Sequence, residues 1–193
     1  MISQSIGPAA PFLLVPAVLV FCATLVLGAR LNGDTDRHWR GLALGIVGYS
    51  FLLRVTYGGW IELLPEETYY WNYSRHLDIG YLDHPPMVAW LIRLGTALFG
   101  NTEFGVRAGA LMCGVVTAVF VFRLTRNLFG ERTALLALIL VQVLPFFFLS
   151  GMLMTPDAPL TAAWAAALYF LERALIADRS RARARASAGR CRH

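Results

Sequence analysis

Five apolar runs, each about as long as a bilayer is thick, divide this chain. A helix needs about 20 apolar residues to cross the hydrocarbon core of a membrane. Runs that reach or approach this length lie at 9–29, 41–60, 106–124, 133–151 and 158–176. Only 15% of the residues are charged, against about 25% in a soluble domain. The sequence therefore predicts an all-α integral membrane protein with about five transmembrane helices.

The arginines indicate how these helices are oriented. They gather in the segments 30–40, 123–132 and 173–192, which all fall on one side of the membrane if five helices alternate. Positive residues favour the cytoplasmic side, so the long loop 61–105 and the turn at 154–159 are predicted to face outward. This distribution of the net charge of +5 favours membrane orientation, with anionic lipid as a partner, and argues against a nucleic acid partner.

The outer loop is predicted to lie flat on the membrane surface. Pro65 followed by Glu66 and Glu67 indicates a helix start, because Pro suits the first turn and acids suit the positive end of the helix dipole. The segment Met87–Phe99 is apolar but too short to span, which favours an interfacial helix. Arg54 precedes the loop, near the end of the second run, and is predicted to extend its guanidinium to the headgroups.

Several polar side chains at this outer face are candidates for chemistry, and each also has a plainer interpretation. Glu66 and Glu67 could bind a cation or take a proton from an acceptor, or only complement the helix dipole. Asp157 could be catalytic, a helix N-cap, or both. His84 and Arg107 could contact a phosphate, or be a histidine beside a proline turn and an arginine at the membrane boundary. Spacing alone leaves these alternatives open.

Common nucleotide and metal motifs are absent from the sequence. It has no Walker loop and no GxGxxG, HExxH or CxxC pattern, so neither a soluble nucleotide-sugar or ATP site nor a zinc site is supported. Paired acids beside a phosphate are able to recruit a divalent cation, but nothing in the sequence decides whether a metal is needed.

The end of the chain differs in character from the rest. The segment 179–193 has no apolar periodicity and consists mostly of Arg, Ala, Ser and Gly. We predict either a disordered basic tail that touches anionic lipid or the product of a shifted reading frame. The expected organisation is therefore a transmembrane module at 1–178 followed by this tail.

Four motifs occur in order along the predicted outer face. They are LPEETYYW at 64–71, GYLDHPPMVAWL at 80–91, EFGVR at 103–107 and MTPDAPL at 154–160. Together they resemble glycosyltransferase family 39, the GT-C type of membrane enzyme that includes protein O-mannosyltransferases and the lipid A aminoarabinose transferase. The likeness covers about 41–178, with the run 9–29 as an extra helix ahead of it, and implies a GT-C-like N-terminal module.

The resemblance implies transfer of a sugar from a polyprenyl-phosphate carrier to a lipid, glycan or protein acceptor, on the outer face of a bacterial plasma (inner) membrane. By position, Glu66, Glu67 and Asp157 match the acids of the family's outer loops. His84 and Arg107 match basic positions near the donor phosphate. One carboxylate that deprotonates or orients the acceptor would suffice, because a lipid phosphate leaves more readily than the leaving group of a glycoside.

Two departures from the family pattern affect this expectation. Glu66 stands where the family usually has Asp, and the extra methylene moves the carboxylate. Family members are also much longer, so the chain by itself is expected to be inactive or a fragment of an enzyme. The alternatives are a non-catalytic membrane protein and a transporter component. The transporter is disfavoured, because transporters place ionisable residues near mid-membrane and the acids here lie in loops or at run ends.

Overall fold

The computed structural model describes residues 35–81 and 84–190, and the fold over these residues is entirely helical. The predicted helix at 9–29, the pair 82–83 and the chain end at 191–193 lie outside the described residues. In chain order the helices are α1 (Thr35–Gly58), α2 (Pro65–Arg75), α3 (Met87–Phe99), α4 (Glu103–Phe129), α5 (Glu131–Val143), α6 (Pro145–Ser150) and α7 (Asp157–Arg190).

Two described helices are long and apolar enough to cross a membrane by length and composition. They are Trp39–Gly58 of α1 and Glu103–Phe129, which is α4, and they match the predicted runs at 41–60 and 106–124. The helices α4 and α5 pack against each other and are joined at Gly130, whose φ of +86° lies in the region that glycine adopts without strain. The prediction of five crossings remains a prediction.

The run 133–151 is not one helix, contrary to the sequence prediction. It is divided into α5 and α6 at Leu144, whose backbone is extended with φ −63° and ψ 127°. Pro145 follows as the first residue of α6. Proline lacks an N–H and disfavours helical geometry in the residue before it, which explains the break.

Arg54 lies at this break. The sequence had suggested instead that its guanidinium extends to the headgroups. Only 4% of its surface is exposed. Its Nη1 donates to Gln142 Oε1 at 2.8 Å. Its Nε and Nη2 donate to the carbonyl oxygens of Phe148 and Phe147 at 3.2 and 3.3 Å. Both carbonyls belong to the last turn of α6, and the carbonyl of Phe147 also accepts the backbone N–H of Gly151 at 3.2 Å. The arginine therefore ties α1 to the broken helix.

The helix α7 begins where the predicted run 158–176 begins but continues to Arg190. Residues 179–190 continue this helix in the structure. Ala and Arg both have high helix propensity, which accounts for a helix without an apolar stripe. The division of the chain at residue 178 and the two interpretations of the tail remain predictions.

The outer loop folds onto the helix bundle, and its two predicted helices are confirmed. The helix α2 begins at Pro65 and α3 spans Met87–Phe99. The helix α3 packs on α4 so closely that a Cβ on Gly95 would lie 2.2 Å from the carbonyl oxygen of Gly105, so this contact requires glycine. A buried cluster from α2, α3, α4 and the region around the start of α7 holds the loop in place: Tyr70, Val88, Ile92, Val106, Ala110, Cys113, Met154, Ala158 and Ala162.

Candidate active site

Two acids that are far apart in the sequence, Glu66 and Asp157, line one cavity. Its volume is about 520 Å³. His84 is also part of its wall, so three of the five predicted site residues meet here. The remaining lining residues are Pro65, Tyr69, Tyr70, Thr155 and Pro156.

Both carboxylates lie in the first turn of a helix. Glu66 is in the first turn of α2 and Asp157 is the first residue of α7. Both side chains are exposed. Within the described part of the chain neither carboxylate accepts a hydrogen bond or forms an ion pair, and Asp157 does not cap its helix. The positive ends of the α2 and α7 dipoles favour negative charge at these positions. The cavity therefore presents two ionisable groups that are not engaged in holding the fold together.

Glu67 is fully buried, unlike its neighbour Glu66. Consecutive residues of an α-helix point about 100° apart, so one of two adjacent acids faces the cavity and the other faces the protein. The Glu67 carboxylate forms an ion pair with Arg107, which is also fully buried. The Nε of Arg107 lies 2.8 Å from Oε1, and Nη2 lies 2.5 Å from Oε2. This is the two-pronged geometry in which arginine binds a carboxylate most strongly.

Every N–H of the Arg107 guanidinium has a protein acceptor. Besides the two bonds to Glu67, Nη1 donates to the carbonyl oxygens of Gly58 and Ile61 at 3.0 and 2.7 Å. Nη2 also donates to the carbonyl oxygen of Glu62 at 3.0 Å. Arginine has five N–H donors, and all five are used. No donor remains for a lipid phosphate in this conformation.

The carboxylate of Glu67 is equally satisfied. Its Oε1 accepts from the backbone N–H of Met154 at 3.0 Å, and its Oε2 accepts from the N–H of Leu64 at 3.1 Å. With the two bonds from Arg107, four hydrogen bonds reach the carboxylate, which is about its full capacity. The bond from Met154 joins α2 to the segment that leads into Asp157, and the bond from Leu64 secures the start of α2 beside Glu66.

Two tyrosines pack against His84 in the wall of the cavity. The His84 ring meets the rings of Tyr69 and Tyr70 edge to face, with centroids 5.9 and 5.1 Å apart. Sequence reasoning did not select these two tyrosines as site residues. Their spacing from Glu66 could have predicted that they lie beside it, because residues three and four positions apart share one face of a helix.

Residues 83–186 match the family of dolichyl-phosphate-mannose-protein mannosyltransferases, and this match covers more than half of the chain. The chain belongs to this family. The finding confirms the resemblance inferred from the four motifs. The matched region contains His84, Arg107 and Asp157, whereas Glu66 and Glu67 precede it.

Curated relatives of this mannosyltransferase-family chain include proteins named as sugar transferases. A lipid A galacturonosyltransferase of Rhizobium johnstonii, RgtD, is 29% identical over 60% of this chain and 23% of its own length. An undecaprenyl phosphate-alpha-4-amino-4-deoxy-L-arabinose arabinosyl transferase of Pseudomonas fluorescens is 29% identical over 54% of this chain and 20% of its own. An uncharacterized protein of Aquifex aeolicus is 33% identical over 46% and 18%. The chain thus spans about a fifth of the length of these relatives. No solved structure matches it.

Over residues 35–81 and 84–190 there is no cluster of three or more His, Cys, Asp or Glu side chains arranged to hold an ion. The sequence left the need for a divalent cation open, and it stays open, since Asp83 lies outside the described residues.

Proposed function

We propose that this protein acts in a membrane glycosyltransferase, which transfers a sugar from a polyprenyl-phosphate carrier to a lipid, glycan or protein acceptor on the outer face of the plasma (inner) membrane. The convergence of the exposed Glu66 and Asp157 carboxylates in one cavity is the observation on which the proposal depends. Family membership supports the reaction class, and the names of the Rhizobium and Pseudomonas relatives support a lipid-linked donor.

The position of the cavity relative to α1 suits a lipid-borne substrate. Arg107 binds the carbonyl of Gly58 at the C-terminal end of α1 and pairs with Glu67, the neighbour of the cavity residue Glu66. From Gly58 back to Arg40, α1 rises by about 27 Å, close to the roughly 30 Å of a hydrocarbon core. The acidic cavity therefore lies at one boundary of the spanning region, where the phosphate of a polyprenyl carrier would also lie.

The two cavity acids suit a displacement at the anomeric carbon. A hydroxyl or amine of the acceptor loses its proton to one carboxylate while its oxygen or nitrogen bonds to the anomeric carbon from the face opposite the phosphate. The bond from that carbon to the phosphate oxygen breaks, and the lipid phosphate leaves with the electron pair, so the configuration is inverted. The second carboxylate orients the acceptor, and His84 stands near the donor phosphate.

Glu67 and Arg107 take a different role in this proposal from the one that the motif positions implied. Their ion pair is buried beneath the cavity and saturated with protein contacts. We assign them to positioning: they hold the start of α2 and the segment before α7 so that Glu66 and Asp157 share one space.

A transfer assay tests the proposal directly. The protein is reconstituted in proteoliposomes with a radiolabelled polyprenyl-phosphate sugar, and label in a lipid, glycan or peptide acceptor is measured. The shared cavity leads us to expect transfer that requires the lipid-linked donor, in contrast to the inactivity that the length of the chain alone suggested. Absence of transfer by the unaltered protein would contradict a catalytic role for this chain by itself and favour an inactive fragment or a non-catalytic membrane protein.

Accessibility labelling tests the placement of the cavity. In a background without cysteine, we expect Glu66→Cys and Asp157→Cys to react with a membrane-impermeant maleimide applied from the outside of intact cells. Arg126→Cys, at the other end of the long helices, is expected to react only after permeabilisation. Labelling of the two cavity positions from opposite sides of the membrane would rule out a shared site.

A further inference from the structure

A second cavity lies between α1, α4 and α5, and it has no part in the proposed transfer reaction. Its volume is about 580 Å³, and its walls are mainly apolar side chains, including Leu44, Phe51, Val119 and Leu138. The lining of this groove runs along α1 from Arg40 to Arg54, a rise of about 21 Å. One leaflet contributes about half of the roughly 30 Å of hydrocarbon core, so the groove is long enough for an acyl chain.

One end of the groove is strongly basic. Arg40, Arg123 and Arg126 line it there, with Glu131 as the acid. The Arg40 guanidinium is already paired with Glu131, at 2.7 Å from Nε to Oε1. Arg123 and Arg126 are exposed, and among the described side chains neither has a hydrogen-bond or ion-pair partner. The Arg126 guanidinium lies over the Phe122 ring, with Cζ 5.6 Å from the centroid. Two guanidinium groups without an acidic partner thus stand at the mouth of an apolar groove.

The end of the groove at Arg54 also carries a positive charge, and no acidic side chain neutralises it there. Arg54 lines it beside Gln142 and donates only to neutral oxygens. The groove lining as a whole contains four arginines and one glutamate. An occupant with an apolar body and a negatively charged head would complement both the walls and the charge.

We propose that the groove binds one acyl chain of an anionic phospholipid, with the lipid phosphate held by Arg123 and Arg126. The planar guanidinium suits phosphate oxygens, and basic pockets between transmembrane helices bind anionic headgroups. A polyprenyl-phosphate donor fits less well here. The acidic cavity lies at the other end of α1, so a donor phosphate held at Arg123 would be about a membrane thickness away from Glu66 and Asp157.

Native mass spectrometry of the full chain measures this binding. The protein is delipidated in detergent, and phosphatidylglycerol or phosphatidylcholine with identical acyl chains is added at equal concentrations. We expect phosphatidylglycerol to be retained about 30-fold more strongly by the unaltered protein, given roughly 1 kcal/mol for each of the two arginines near the anionic headgroup. The double variant Arg123→Gln and Arg126→Gln is expected to lose this preference. Arg93→Gln, an exposed arginine on α3 outside the groove, is the control and should keep it.

A second pair of variants distinguishes binding of the acyl chain in the groove from attraction of the headgroup to arginines on the surface. Val119→Trp places a large ring among the groove walls and is expected to reduce retention of phosphatidylglycerol several-fold, although all arginines remain. Leu98→Trp, at an exposed position of α3 outside the groove, should not. Equal retention of the two phospholipids would overturn the proposal in favour of occupation by another part of the chain. Stronger retention of undecaprenyl phosphate than of phosphatidylglycerol would overturn it in favour of an isoprenoid site.

Discussion

Replacing Glu66 by Gln, or Asp157 by Asn, is expected to lower the rate of sugar transfer by about 10²–10⁴-fold, the range typical of a lost general acid or base. Each amide has nearly the size of the acid it replaces but cannot accept a proton at neutral pH. Both carboxylates are exposed and make no hydrogen bond or ion pair within the described structure, so the variants should fold and insert like the unaltered protein. The transfer assay in proteoliposomes measures the loss.

Two further variants sharpen this test. Asp78→Asn is the matched control, because Asp78 is an exposed acid of the same loop outside the cavity, and the amide oxygen can still accept the N–H of Ile79. It should retain full activity. Glu66→Asp keeps a carboxylate and should transfer faster than Glu66→Gln. If the two amide variants together cost no more than either alone, the acids act as a unit. Full activity in both amide variants would exclude the proposed role of the cavity.

Replacing Arg107 by Met is expected to destabilise the protein by about 3–5 kcal/mol, the cost of removing one partner from a buried ion pair. The change leaves the Glu67 carboxylate buried without a countercharge. It also removes the donors to three backbone carbonyls, those of Gly58, Ile61 and Glu62. Thermal unfolding of the detergent-solubilised protein, followed by near-ultraviolet circular dichroism, measures the effect. Arg93→Met, at an exposed position, is the control and should change stability by no more than about 0.5 kcal/mol.

Further variants of Arg107 and Glu67 distinguish a positioning role for Arg107 from a role in phosphate binding. Arg107→Lys keeps the charge but offers three donors in place of five, so we expect partial destabilisation. Glu67→Gln combined with Arg107→Met should cost less than the sum of the single changes, because the double variant leaves neither charge alone. A folded Arg107→Met protein with unchanged melting temperature and a raised KM for the lipid-linked donor would instead support the phosphate contact that the motif position had implied.

The sequence predicted local features well where local chemistry is sufficient. The start of α2 at Pro65 followed from a proline before two acids, and α3 followed from an apolar segment, Met87–Phe99, that is too short to span a membrane. The sequence shows Pro145, which predicts a helix break, but the prediction treated residues 133–151 as one apolar run. Hydrophobicity averaged over a membrane length hides the loss of a single backbone donor.

The sequence by itself determined the membrane class, most helix positions and the family, and it predicted a set of five polar side chains as the candidate site. Only the tertiary structure divided that set. It placed Glu66, His84 and Asp157 around a cavity and joined Glu67 to Arg107 beneath it. The physical reason is that apolar periodicity and helix starts depend on neighbours along the chain. Which of two adjacent acids is buried depends instead on a guanidinium 40 residues away and on how α2 is rotated against α4.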